Sequence, residues 1–434
     1  MLFESTRDPT HTLPLSAAIA RGLAPDGGLY VPQSLPTLDR NALCAAADLP
    51  TLAERLIAPF AGGDAIADRL GEITRDAFNF PAPVVEVSGA GGPLSVLELF
   101  HGPTAAFKDF GARFLAATLE RIPRRDPRRL TVLVATSGDT GGAVAAAFHG
   151  RPWVDVVVLY PRGLVSPRQE KQLACWGGNV RTLSVAGTFD DCQRLVKDAF
   201  VDPVLARGLM LSSANSINVG RLLPQMVYYA QASLALWRAD GRAPNFIIPT
   251  GNLGNALACV WAREAGLPIG DIVLASNANL TVAQFLGSGE WRPRPSVATL
   301  ASAMDVGNPS NMERLRWLFP DLARLRGKVS AVPVSDDEIR EAIRRDHREL
   351  GHVWCPHTAT AAHVYRGLDR ARRSARWVLV ATAHPAKFND IVEPLIGETV
   401  PVPPALEALL ALPSLQIEVE PRLDALRSVL ERAA

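Results

Sequence analysis

Leu130-Thr-Val-Leu-Val-Ala-Thr-Ser-Gly-Asp-Thr-Gly-Gly-Ala-Val-Ala-Ala-Ala-Phe148 passes from a short apolar run, through a Gly/Ser/Thr loop, into an Ala-rich segment. It reads as strand, loop and helix, with the helix at Ala143–Phe148. The same order recurs on both sides of it. Val154–Tyr160 is followed by a helical Pro167–Trp176, and Val180–Val185 by Asp190–Phe200. Asn245–Ile248 leads through the Gly-rich Pro249–Asn255 into Ala256–Ala265. Upstream, Leu94–Leu99 meets the turn His101-Gly-Pro-Thr104 and a helix over Ala105–Arg121. Downstream, Trp377–Ala381 runs into the loop Thr382–Ala386, and Ser335-x-x-Glu338 is a capping box that opens a helix through Arg348. Repeated strand–loop–helix units predict an α/β fold, with parallel strands and helices on both faces of the sheet. Ligands then bind at the carboxyl ends of the strands.

The remainder of the chain bounds that reading. Its 434 residues correspond to roughly three units at about 150 residues each. They are 48% apolar and 21% charged, a globular composition. The first 80 or so residues are mixed: Asp26-Gly-Gly28 is a turn, Leu29-Tyr-Val31 ends at Pro32, and Thr51–Phe60 and Asp64–Phe78 read as helical. Phe80-Pro-Ala-Pro83 marks a boundary, and Arg124–Arg129 is a basic linker. A formal charge of +1 argues against a nucleic-acid or anionic-membrane surface. There is no apolar run long enough to span a membrane, and Glu4 and Asp8 stand where a signal peptide would be basic. Cys44, Cys175, Cys192, Cys259 and Cys355 are scattered and contain no C-x-x-C, as expected of reduced thiols in a cytoplasm.

Of 45 basic residues only five are lysine: Lys108, Lys171, Lys197, Lys328 and Lys387. A chain that uses Arg for general surface charge can keep Lys where an amine nucleophile is needed. Lys108 lies between Phe107 and Phe110, where apolar rings disfavour the ammonium; alternatively, Asp109 makes it a surface ion pair. The loops Thr136-Ser-Gly-Asp-Thr-Gly-Gly142 and Thr250-Gly-Asn-Leu-Gly-Asn255 both open helices, and helix starts bind anions. Neither is a Walker A or a G-x-G-x-x-G, and either one alone could be a plain glycine turn. Asn215-Ser-Ile-Asn218 with Arg221 is a third polar cluster, ahead of a helix through Trp237. It is either a fork for phosphate or carboxylate, or a capped helix with an exposed Arg. His352, His357 and His363 have no metal-binding spacing, so no metal site is expected. A lysine, two anion-binding helix starts and an arginine suit pyridoxal 5'-phosphate.

These segments resemble those of threonine synthases with an N-terminal extension, in the tryptophan-synthase-β-like (fold type II) family of pyridoxal-phosphate enzymes. The resemblance runs from Gly22-Leu-Ala-Pro-Asp-Gly-Gly-Leu-Tyr-Val-Pro32 through His101-Gly-Pro-Thr-Ala-Ala-Phe-Lys-Asp-Phe-Gly111, Thr136–Gly141, Asn215–Asn218 with Arg221, and Gly251–Asn255. It continues through Asp305-Val-Gly-Asn-Pro-Ser-Asn311 and Pro356-His-Thr-Ala359 to Thr382-Ala-His-Pro-Ala-Lys-Phe388. It implies an extension over residues 1–85, a large cofactor lobe over 86–120 and 220–434, and a small mobile lobe over 121–219. It makes Lys108 the Schiff-base lysine and Gly251, Asn252, Leu253, Gly254 and Asn255 the cradle of the cofactor phosphate. Thr382 becomes the partner of the pyridine nitrogen. Ser137, Thr140, Asn215, Ser216, Arg221 and Asn255 become ligands of the substrate's carboxylate and phosphate. Asp139 falls about where similar enzymes use an Asn donor to the phenolic oxygen; it is expected to be protonated there or turned elsewhere. His357 and Lys387 lie in matching motifs without an assigned role.

Enzymes of this kind convert O-phospho-L-homoserine and water to L-threonine and phosphate. The implied course exchanges the Lys108 imine for the substrate imine. Lys108 then removes the α-proton and helps move a β-proton, phosphate leaves Cγ, and water adds at Cβ. Two alternatives stay open: a threonine-synthase-like phospho-lyase releasing α-ketobutyrate, and a non-catalytic binding homologue. A small-molecule substrate, no nucleic acid, no membrane, and a monomer or homodimer complete the expectation.

Overall fold

Val154–Pro161 is buried along its whole length, which demands a paired strand on each side and cover on both faces. The computed structural model describes residues 1–123 and 128–431, so residues 124–127 of the expected basic linker lie outside the described residues. Among the described residues the strands form three sheets. β1 (Leu2–Ser5), β2 (Thr12–Pro14) and β3 (Tyr30–Pro32) make a small antiparallel sheet in the order β2-β1-β3. β4 (Val84–Val87) and β5 (Leu94–Glu98) pair antiparallel at one edge of a six-stranded sheet. β6 (Leu130–Ala135), β7 (Val154–Pro161), β8 (Val180–Val185) and β9 (Met210–Ser213) belong to a five-stranded parallel sheet. β10 (Asn245–Pro249), β11 (Ile272–Ser276), β12 (Ser330–Pro333) and β13 (Trp377–Ala381) return to the six-stranded sheet, ordered β12-β11-β10-β13-β5-β4. β14 (Gln416–Val419) completes the five-stranded sheet, ordered β14-β8-β7-β6-β9.

That last strand corrects the expected lobes. Residues 220–434 do not all belong with the six-stranded sheet, because β14 pairs parallel with β8. Leu426 and Leu430 of the following helix are buried in one apolar cluster with Leu195 and Val196. Burying those side chains ties the C-terminal segment to the smaller sheet. β4 likewise straddles residue 85 and pairs with β5, so the extension does not end at a strand boundary.

Several helices begin or break elsewhere than predicted, and two of the differences matter. The helix expected from Ala105 starts at Lys108. Ala105 takes a left-handed φ of 53° and Ala106 bridges Ala383, so the chain cannot wind until both are passed. The helix expected through Trp237 is divided into Val219–Leu222, a 3-10 turn at Leu223–Gln225 containing Pro224, and Met226–Asp240. The Ser335–Glu338 capping box forms as read, opening Asp336–Leu350. No helix among the described residues is long and apolar enough to cross a membrane.

The N-terminal unit props the Asn215–Arg221 segment. Asn218 caps Val219–Leu222 by accepting from Gly220 N–H, and its Nδ2 donates to Ile19 O at 2.9 Å. Arg314, fully buried, donates to Tyr30 O at 3.0 Å, Ile217 O at 2.6 Å and Asn311 Oδ1 at 2.7 Å. Burial pushes its guanidinium down to about 9. Its hydrogen bonds go to carbonyl groups of the loop and the extension, so it braces the cavity wall.

Candidate active site

A cavity of about 1490 Å³ opens at the carboxyl ends of the strands. Lys108, Ser137, Asp139, Thr140, Asn215, Ser216, Arg221, Thr382 and the whole run Gly251–Asn255 line it. The structure thus gathers around one space every residue to which the resemblance gave a catalytic, cofactor or substrate role.

Lys108 is half-buried at the first position of its helix. Packing around the amine pushes its pKa down to about 8; Lys387 and Arg221 reinforce the shift, and Asp139 opposes it. The alternative pairing with Asp109 does not occur. Asp109 turns inward and accepts from Thr104 N–H at 2.8 Å and Thr104 Oγ1 at 2.6 Å. Phe110 is core, packed on Phe80 and Tyr228, while the Phe107 ring lies 5.8 Å from Lys108 Nζ.

The Gly251–Asn255 loop solves its geometry in an unexpected way. Gly251 is needed for space: a Cβ there would meet the Met304 backbone at 2.6 Å. The left-handed φ falls on Leu253 instead, at 63°, a strain of about 1–3 kcal/mol. Leu253 makes no side-chain cap on the helix Gly254–Glu264. Its first amides are therefore available to an anion. Asn255 Oδ1 accepts from Tyr228 Oη at 2.6 Å and Tyr229 Oη at 2.8 Å. That fixes the amide so that its Nδ2, buried without a hydrogen-bond partner, is the free donor. Asn252 is occupied otherwise: Nδ2 donates to Ser216 Oγ and Oδ1 accepts from Ser310 N–H, tying the two loops together.

The Thr136–Gly142 loop is partly self-satisfied, since Thr136 Oγ1 accepts from Gly138 N–H and Gly141 N–H. Its helix starts at Asp139, earlier than Ala143. Asp139 is turned toward Lys387, 2.8 Å away, which holds its carboxyl well below the usual range against the cost of burial. Of the two expectations for Asp139, the side chain is the one turned elsewhere, toward Lys387, and it is ionised and not protonated. His357 also lines the cavity; its Nε2 accepts from Ala303 N–H, and burial pushes its pKa down to about 4, so the ring is neutral. No cluster of metal-ligating residues occurs among the described residues.

Arg221 is a buried and only partly satisfied charge in the cavity. It is 3% exposed and donates to Ala214 O, while Nε is buried without a partner. Among the described residues no carboxylate pairs with it, and burial pushes its pKa down to about 10. The exposed, capped-helix reading of Arg221 is wrong, although Asn218 is indeed a cap. Sequence reasoning missed Tyr228, Tyr229 and Arg314, whose partners are distant in the chain. It named Lys387 only as one of five lysines and as part of a motif.

Three family models match: pyridoxal-phosphate dependent enzyme over residues 78–383, threonine synthase N terminus over 2–78, and threonine synthase, C-terminal, over 358–430. Threonine synthase of Serratia marcescens is 41% identical over 418 residues, 96% of this chain and 95% of that protein. The crystal structure of threonine synthase from Escherichia coli superposes with a TM-score of 0.91 at 38% identity, covering 100% of both chains. That of pyridoxal-phosphate-bound threonine synthase from Brucella melitensis has a TM-score of 0.90 at 35% identity, covering 100% of this chain and 99% of that one. With matches of this extent spanning the extension, both larger sheets and the cavity, the chain belongs to the threonine synthase family of pyridoxal-phosphate dependent enzymes.

Proposed function

We infer that this chain converts O-phospho-L-homoserine and water to L-threonine and phosphate, using pyridoxal 5'-phosphate held by Lys108. One observation carries the reading. An amine whose ammonium is disfavoured and a buried guanidinium without a carboxylate partner face the same cavity. The amine suits an aldehyde cofactor, and the guanidinium suits a second anion.

The residues fit the cofactor. Gly251 lines the cavity while packing too closely on the Met304 backbone for any side chain, the helix start behind it is uncapped, and Asn255 Nδ2 is an unused buried donor. Gly251, Asn252, Leu253, Gly254 and Asn255 would hold the phosphate, largely through backbone amides. Thr382, at the carboxyl end of β13, would face the ring nitrogen. When bound, pyridoxal phosphate supplies an electron sink for the pair left at the substrate's Cα. Lys108 Nζ takes the Cα proton and moves a proton at Cβ. With its pKa near 8, about a tenth of it is neutral at pH 7, far more than for an ordinary lysine. Ser137, Thr140, Asn215 and Ser216 orient the substrate's carboxylate and phosphate, and Arg221 holds the phosphate on Cγ as it departs.

Supplying phosphohomoserine to the loaded enzyme tests the reading: phosphate and threonine should appear together. Phosphate with α-ketobutyrate would convert it to the phospho-lyase reading, and no phosphate at all would leave a binding protein. Removing both hydroxyls in Tyr228→Phe/Tyr229→Phe frees the Asn255 amide. We expect affinity for pyridoxal phosphate to fall about tenfold by spectroscopic titration. Unchanged affinity would remove Asn255 from the cradle.

The two larger sheets serve as lobes, the five-stranded one closing over bound substrate and excluding water. Structures with and without a phosphonate analogue that superpose without relative lobe movement would refute closure. The same reading sets the chain in a cytoplasm as a monomer or homodimer, its cysteines free thiols.

A further inference from the structure

We propose that Lys387 is a positioning residue: it locks the Asp139 carboxylate into a closed ion pair at the cavity wall, so that Asp139 does not capture the Lys108 amine. The proposal rests on Lys108 being the reactive amine. Asp139 opens its helix and shares the cavity lining with Lys108. An unmatched carboxylate there would hold Lys108 as an ammonium and oppose its use as a base.

The geometry removes that conflict. Lys387 Nζ lies 2.8 Å from Asp139 Oδ1 and donates to Thr104 O at 2.7 Å. Gln169 Nε2 donates to the same carboxylate oxygen at 3.0 Å. Lys387 has no exposed surface and is not part of the cavity lining, so it reaches a ligand only through Asp139. Its turn, Pro385–Phe388, is fixed to the other lobe, with Ser166 Oγ donating to Lys387 O at 3.1 Å. A buried ion pair seldom repays its desolvation as stability alone. Here it leaves a nearly neutral pair beside the amine.

The charged groups that face Lys108 are Asp139, Lys387 and Arg221; those that face Asp139 are Lys387, Lys108 and His357, the last neutral. Lys387 and Arg221 favour the neutral amine, and Asp139 alone favours the ammonium. Without the Lys387 charge, that balance tips toward the ammonium.

The test is the pH dependence of reductive methylation of Lys108 by formaldehyde with cyanoborohydride as hydride donor, in the full chain free of cofactor, followed by peptide mass spectrometry. The wild-type midpoint is expected near 8. In Lys387→Met it should rise by about one pH unit, cutting labelling at pH 7.5 about eightfold. In Lys387→Met/Asp139→Asn, which removes both charges, it should return to near the wild-type value. In Asp139→Asn alone it should fall, because Lys387 is left unmatched. An unchanged midpoint in folded Lys387→Met, or a double variant that stays raised, overturns the proposal. If Lys387→Met does not fold, a midpoint that fails to fall in Asp139→Asn overturns it instead. Protection of wild-type Lys108 by pyridoxal phosphate is measured in the same experiment. Its absence would defeat the functional reading while leaving the electrostatic one to the midpoints.

Discussion

Lys108→Arg is expected to lower kcat/KM for phosphohomoserine by at least about 10⁴-fold and to abolish the visible absorption of lysine-bound cofactor. Two functions are lost together. A guanidinium stays protonated at all working pH values and forms no covalent bond to the aldehyde. It also cannot take a proton from Cα, and loss of a general base alone typically costs on the order of 10²–10⁴-fold. The replacement keeps a positive charge beside Asp139, so the surrounding electrostatics change less than in an alanine variant. The fold should persist, because Asp109, the other charge at this helix start, pairs with Thr104 and not with Lys108. Purified Lys108→Arg with an unchanged cofactor spectrum would sink the assignment of the anchor.

Arg221→Ala is expected to leave the cofactor spectrum intact and to weaken turnover of phosphohomoserine by about 2–5 kcal/mol, roughly 30- to 4000-fold in kcat/KM. The guanidinium is 3% exposed, without a carboxylate partner among the described residues, and with Nε unbonded. A cation so placed is costly until an anion joins it, so removing it should leave the dianionic phosphate group unmatched in a closed site. Arg221→Lys should recover only part of the loss, since an ammonium lacks the planar fork. Selectivity decides the matter. If Arg221→Ala weakens binding of phosphohomoserine no more than that of homoserine, the arginine does not read the phosphate.

The local chemistry of this chain was legible before its fold. Strand runs such as Leu130–Ala135 and Val154–Tyr160 announce themselves by apolar residues interrupted only at Thr131 and Asp155, which specifies a strand buried on both faces. The Ser335–Glu338 capping box involves residues three apart and forms as read. The scarcity of lysine pointed to Lys108, and the two glycine-rich loops that follow it in the chain line one cavity with it. β14 was not legible: Gln416–Val419 alternates polar and apolar over only four residues, three of them exposed, and the open edge of β8 gives them a place.

The helix starts read at Ala105 and Ala143 lie about a turn away, at Lys108 and Asp139. Ala105 is held left-handed by its place between the Gly102 turn and the bridge to Ala383, and Leu253, not a glycine, bends the phosphate loop.

Sequence by itself determined which residue types are present, which segments alternate or repeat, and which groups are able to bind anions or form a bond to an aldehyde. Those are properties of single side chains and of neighbours within about a turn. Tertiary structure alone decided protonation and orientation. Whether Asp139 is an acid or a carboxylate depends on Lys387, 248 positions away in the chain. Which end of the Asn255 amide faces the cavity depends on two tyrosines of another helix. Whether Arg221 is a surface charge or an unmatched buried cation depends on the walls folded around it. Desolvation and Coulomb energy act over a few ångströms in space, whatever the separation along the chain.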